Sequence, residues 1–212
     1  MRNFQLPGRS TVHAQNAMAA TSHPLATLTA IDVLRAGGTA ADAAVAACAL
    51  LGVIEPQSTG IGGDCFALIQ PRGDGKIVAY NGSGRAPKAA EASWYLERNI
   101  RAIPLTSAHA VSIPGAIDAW VTILRDHGKF GLDTLLQPAI KAAEEGYVVA
   151  PRIAFDWHNQ FAKLKKGTNT ERYLLPHGRP PVAGDVIKQP ELGRAPVLRV
   201  PARRGHAADH GR

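Results

Sequence analysis

The chain has 212 residues, 45% of them hydrophobic, and a formal net charge of +7, so it can bury a core of one domain or slightly more. It has no run of about 18 apolar residues that could span a bilayer and no basic start followed by an apolar block, which predicts a cytoplasmic protein that does not enter a membrane. The basic residues are mostly dispersed, with no aromatic-interleaved basic stripe, so we expect no nucleic-acid partner.

Two helices are predicted near the start of the chain. Pro24 suits a first helical turn, and Gly37 supplies the left-handed residue that ends a helix. Thr39 then caps a second helix, because Asp42 three positions later completes a capping box. The run from Ala43 to Leu51 has almost no polar face, so this helix is expected to be buried.

A glycine-rich loop over residues 59–64 follows the second helix. A dinucleotide-binding fingerprint follows a strand and opens a helix, whereas this loop follows a helix and opens a strand. We therefore interpret its glycines as backbone room beside a packed neighbour or a substrate.

A β-hairpin comes next, with strands predicted at Cys65–Gln70 and Lys76–Tyr80 around the turn at residues 72–75. A second glycine-rich loop, residues 81–87, leaves the hairpin. Arg85 in this loop could bind a carboxylate through two parallel hydrogen bonds. The alternative is an ordinary surface loop.

The rest of the chain is predicted to be helical and then irregular. Helices are predicted at Ala92–Asn99, Pro114–Asp126, Leu132–Glu145 and Pro151 to about Lys165. Residues 167–190 are rich in proline and glycine and predict a loop. Residues 191–212 carry five arginines and no apolar period, so they are predicted to be disordered. A basic arm and an out-of-frame reading of GC-rich DNA would both give this composition.

Cysteine and histidine show no ligand pattern. Cys48 and Cys65 stand outside any CxxC or Cys/His cluster and are interpreted as small core residues. No metal and no cofactor are therefore expected. The histidines interpreted as structural or surface residues are His13, His23, His109, His127, His158 and His177.

Several ordered sequence blocks carry a family resemblance. They are residues 23–26 (HPLA), 33–46 (VLRAGGTAADAAVA), 55–63 (EPQSTGIGG), 110–116 (AVSIPGA) and 135–146 (LLQPAIKAAEEG). In order and spacing they resemble the N-terminal part of the large subunit in the gamma-glutamyltransferase family. The resemblance covers about residues 12–192. It divides the chain into an N-terminal extension (1–11), a partial family domain (12–190) and a basic tail (191–212).

The resemblance implies an α+β fold, the αββα sandwich of N-terminal-nucleophile hydrolases, present here only as a large-subunit portion. In that family a precursor cleaves itself and exposes a threonine that forms an acyl-enzyme with a gamma-glutamyl amide such as glutathione. That threonine lies outside this chain, so no catalytic residue is assigned. The missing small subunit is an implied partner, and these 212 residues alone are expected to be inactive.

One loop departs from the family pattern. Many family transferases bind the glutamyl carboxylate with the arginine of a Gly-Arg-Glu-x-Ala-Pro loop. Ser83 occupies that arginine position here, and Arg85 stands two residues later. Ser83 and Arg85 are therefore the candidate substrate-binding residues. The loop is more like the family branch that includes acylases and other amidohydrolases, which leaves an acylase, or a non-catalytic remnant, as alternatives.

Overall fold

A computed structural model describes residues 11–71, 73–105, 107–167 and 169–195. The tail predicted to be disordered comprises residues 191–212. Its first residues belong to a short helix, Pro190–Gly193, which the prediction missed, whereas residues 196–212 lie outside the described residues, as does most of the predicted N-terminal extension. The chain divides into two compact units. Unit 1 combines the residues up to Gly60 with those from Gly128 onward, and unit 2 is Ile61–His127.

The described chain is mixed α and β. Its helices are α1 (Pro24–Arg35), α2 (Ala40–Ile54), α3 (Ala92–Glu97), α4 (Ala116–His127), α5 (Leu132–Leu135), α6 (Gln137–Glu145), α7 (Pro151–Leu164), α8 (Thr170–Leu174) and α9 (Pro190–Gly193). Its strands are β1 (Cys65–Ile69), β2 (Val78–Gly82), β3 (Tyr147–Val148) and β4 (Val186–Ile187). No helix among the described residues is both long and apolar enough to cross a membrane.

The first two helices of unit 1 form as predicted. Gly37 follows α1 with φ of 90°, and the Thr39–Asp42 capping box opens α2. Most of α2 is buried. The prediction of Cys48 as a core residue is wrong, because Cys48 and Ala44, one turn apart, lie on the exposed stripe of this helix.

Later in unit 1 the structure differs from the prediction in two places: one predicted helix is split, and a predicted loop contains regular secondary structure. The helix expected over residues 132–145 is two helices, because a new helix begins at Gln137 after Leu136, with Pro138 in its first turn. The region predicted as loop contains α8 and β4. The pair formed by β3 and β4 is antiparallel, with Tyr147 opposite Ile187. Long-range pairing of this kind leaves little mark on the local sequence.

Unit 2 is built on the predicted hairpin. β1 and β2 are antiparallel with Cys65 opposite Gly82, although β2 begins two residues later than predicted. Helix α4 packs on both strands. A Cβ on Gly82 would come within 2.5 Å of the Ala119 Cβ, so glycine here lets the helix approach the sheet.

Glu55 at the end of α2 is a buried acid with incomplete hydrogen bonding. Its residue is 5% exposed, and its Oε2 accepts a hydrogen bond of 2.9 Å from the Ser22 hydroxyl. No described group donates to Oε1. Burial raises the pKa of Glu55 from 4.5, and Asp156 raises it further, against the opposing effects of Ser22 and Arg152. Folding therefore favours the protonated acid relative to the unfolded chain.

We expect Glu55→Gln to become progressively more stable than the wild type as the pH rises. Because the pKa of Glu55 is higher in the folded than in the unfolded chain, its contribution to stability is fully present below the unfolded-state pKa. That contribution is lost as the pH rises through the folded-state pKa. Glutamine stays uncharged and still accepts from Ser22. Urea unfolding of both proteins from pH 4 to 8 measures the difference. Parallel stability profiles would show that Glu55 ionises without cost.

Candidate active-site loop

Three segments of unit 2 meet at the loop that leaves β2. The Gly63 carbonyl accepts hydrogen bonds from the amides of Gly115 at 3.0 Å and Ala116 at 3.1 Å. The Ser112 hydroxyl donates to the Ser83 carbonyl at 3.3 Å. These bonds join the residues before β1, the loop after β2 and the start of α4.

Arg85 is fixed by its backbone and open at its side chain. Its carbonyl accepts a hydrogen bond of 2.9 Å from the Ile113 amide, while the residue is exposed. No acidic group among the described residues forms an ion pair with it. A guanidinium in this state can bind a carboxylate through two parallel hydrogen bonds.

Ser83 lies on the same loop and is half-buried. Its amide donates to the Asn81 Oδ1 at 3.1 Å, a bond that closes a local turn. The two candidate residues are thus placed on one loop, and the carbonyl of each is held from residues 112–113.

The glycines that allow close backbone contact are not those of the predicted loop at residues 59–64. A Cβ on Gly62 or Gly63 would meet no described atom within 4 Å, so no packed neighbour requires glycine there. A Cβ on Gly84 would instead lie 1.8 Å from the Ile113 carbonyl oxygen, and one on Gly115 would lie 2.5 Å from the Gly84 nitrogen. The tight approach is therefore between the Arg85 loop and the start of α4.

Sequence reasoning gave no role to Ser112, Ile113 and Gly115. They lie in the block 110–116, whose resemblance to the family was visible in the sequence. Their contacts are mainly with the main chain of residues about 30 to 50 positions earlier, and main-chain contacts carry no residue-type signal. The glycine and proline of this block were the only local hint.

A second polar cluster of unit 2 joins strand to helix. The Tyr80 hydroxyl lies 3.0 Å from the Asp126 Oδ2 and 2.8 Å from the His127 Nε2. A hydrogen bond from Arg125, followed by the one from Tyr80, lowers the pKa of Asp126. Since these contacts tie β2 to the end of α4, they give His127 the structural role expected for it.

A sequence model described as Gamma-glutamyltranspeptidase matches residues 26–208. The chain belongs to the gamma-glutamyltranspeptidase family. Among its relatives is the glutathione hydrolase-like YwrD proenzyme of Bacillus subtilis, 33% identical over 90% of this chain and 36% of that protein. The chain thus spans about a third of the length of this curated relative.

Solved structures of the family share the fold. The cephalosporin acylase of Bacillus halodurans is 36% identical with a TM-score of 0.81, over 92% of this chain and 38% of its own. The gamma-glutamyltranspeptidase of Helicobacter pylori is 30% identical with a TM-score of 0.77, over 87% of this chain and 54% of its own. The chain therefore has the α+β fold of N-terminal-nucleophile hydrolases, in a large-subunit portion.

Proposed function

We propose that the protein acts in a gamma-glutamyltranspeptidase-type amide hydrolase or transferase, in which the Arg85 loop binds a carboxylate of the acyl donor. The observation that carries this proposal is the Arg85 guanidinium, exposed and without an ion pair among the described residues, on a loop whose carbonyls are hydrogen-bonded. Glutathione or a related gamma-glutamyl amide supplies such a carboxylate. The similarity to the glutathione hydrolase-like YwrD proenzyme supports this substrate class.

In this proposal a small-subunit part like that of the relatives carries out the chemical step. A threonine at the amino terminus of the small subunit attacks the amide carbonyl, its own amine serves as base, and the donor amine leaves. Water or an acceptor amine then releases the acyl group. In this scheme the small subunit also supplies the oxyanion-hole donors. Unit 2 binds the acyl donor. We propose that the protein is located in the cytoplasm.

We expect Arg85→Ala to lower kcat/KM about 30- to 1000-fold for a gamma-glutamyl anilide, because a bidentate charged contact is lost. The assay uses a protein that joins this chain to a small-subunit part like that of its relatives. A 4-aminobutyryl anilide, which keeps the amine and lacks the α-carboxylate, should be affected far less. Arg85→Lys should recover only part of the loss, since an ammonium cannot form the paired contact. The 212 residues alone serve as the blank.

An acylase is the second candidate function. The likeness to cephalosporin acylase, 36% identical with a TM-score of 0.81, favours it. The same assay separates the two functions. If Arg85→Ala weakens both anilides equally or neither, Arg85 is only a loop residue, and an acyl donor without an α-carboxylate becomes the better proposal.

A further inference from the structure

We propose that Ser112 is a positioning residue that sets the affinity for the donor carboxylate by holding the Arg85 loop in one conformation. This inference rests on the proposed function of Arg85. It adds a residue that touches no substrate and acts through the backbone on either side of Gly84.

The Arg85 loop is attached to the segment before α4 at two points. The carbonyls that flank Gly84 belong to Ser83 and Arg85, and each accepts one hydrogen bond from consecutive residues of the opposite segment. The Ser112 hydroxyl donates to the first at 3.3 Å, and the Ile113 amide donates to the second at 2.9 Å. Both sides of the turn are therefore held by one short segment.

The turn at Gly84 lies in close contact with the main chain of Ile113. Gly84 has φ of 75°, a conformation that favours glycine, and the Ile113 carbonyl fills the space in which a side chain would start. Because that obstacle is main chain, it cannot move aside like the end of a flexible side chain. A side chain at position 84 would therefore disrupt the contact between the turn and residues 112–113.

The segment that holds the Arg85 loop is itself anchored. Gly115 and Ala116 donate to the Gly63 carbonyl, and Ala116 and Ala119 are buried at the start of α4. The Ser112 hydroxyl thus connects Arg85 to the packed part of unit 2. A bidentate contact requires the guanidinium within a few tenths of an ångström of its partner, so loosening this connection should weaken carboxylate binding.

The first test uses the 212-residue chain and trypsin, which can cut after Arg85 only when the loop opens. Loss of one hydrogen bond should raise the cleavage rate between Arg85 and Ala86 about 2- to 10-fold in Ser112→Ala, and Ser112→Thr should restore it. Gly84→Ala should raise the cleavage rate by more than about 10-fold, because it introduces both backbone strain and a clash with the main chain.

Two control variants match these changes. Gly75 has φ of 82° and open space around an added Cβ, so Gly75→Ala carries the same backbone strain without the clash. The Ser107 hydroxyl accepts from the His109 amide, so Ser107→Ala removes one serine hydrogen bond elsewhere in unit 2. Neither should change cleavage at Arg85. Equal cleavage in Ser112→Ala and Ser107→Ala would overturn the inference.

The second test separates positioning from general stability in the protein that carries the small-subunit part. Ser112→Ala should raise KM for the gamma-glutamyl anilide about 2- to 10-fold at unchanged kcat, and leave the 4-aminobutyryl anilide, which has no carboxylate, unaffected. If Arg85→Ala lacks the substrate-selective loss, the proposed function fails. If Arg85→Ala shows that loss and Ser112→Ala does not, only the role of Ser112 fails.

Discussion

Asp42→Ala is expected to lower the free energy of unfolding by about 3 to 5 kcal/mol, the cost of removing a buried, multiply bonded carboxylate. Asp42 is fully buried at the start of α2. Its Oδ2 accepts from the Thr39 amide at 2.7 Å and the Thr39 hydroxyl at 3.0 Å, which completes the helix cap. Alanine would leave these donors without an acceptor.

The same carboxylate also holds a distant part of unit 1. The Lys129 amide donates to both its oxygens, at 3.1 and 3.0 Å, and the Phe130 amide donates to Oδ1 at 3.2 Å. These residues directly precede α5. Loss of Asp42 therefore releases the cap of α2 and the entry to α5 together, which places the expected cost above that of an ordinary cap.

Urea unfolding followed by circular dichroism measures this cost. Asp32→Ala is the matched control, because Asp32 is a 60% exposed aspartate on α1 whose carboxylate pairs with the exposed Arg35 guanidinium at 3.5 Å. An exposed pair of this kind contributes less than about 1 kcal/mol. If both variants lose the same stability, the buried hydrogen bonds of Asp42 do not act as described.

Asp42 also shows how far the sequence could predict the fold. The Thr-x-x-Asp spacing is local, and the capping box it predicts is confirmed. The contacts with Lys129 and Phe130 span more than 80 positions and have no local signature. Capping, helix ends and the hairpin follow from neighbouring residues, whereas the site contacts from Ser112 and Ile113 depend on packing that only the structure shows.

The prediction that residues 167–190 form a loop is wrong for a related reason. Its prolines and glycines indicate a loop locally, but tertiary contacts order part of it. The Gly184 amide donates to the Val149 carbonyl at 3.0 Å, and the Val149 amide donates to the Asp185 carbonyl at 2.9 Å. Leu175 is 2% exposed just after α8. Packing against α7 and β3 therefore overrides a composition typical of loops.

Trp157 on α7 is expected to be a main reason why residues after α7 are ordered. Trp157→Ala should therefore lower the free energy of unfolding by about 3 to 5 kcal/mol. Its ring is fully buried, and its Nε1 donates to the Leu174 carbonyl at 2.8 Å. Alanine would leave both a cavity and an unpaired carbonyl at the end of α8. Trp157→Phe retains most of the apolar contact and loses the hydrogen bond, so about 1 to 2 kcal/mol is expected.

Urea unfolding measures these losses, and amide exchange locates them. The amides of Leu175 and Gly178, which donate to the carbonyls of Glu171 and Leu175, should exchange faster in Trp157→Ala than the helical amides of α2. Phe155→Ala removes a 41% exposed aromatic from the same helix and should cost less than about 1 kcal/mol. Equal losses in the two alanine variants, or unchanged exchange at Leu175, would mean that the region after α7 is ordered without Trp157.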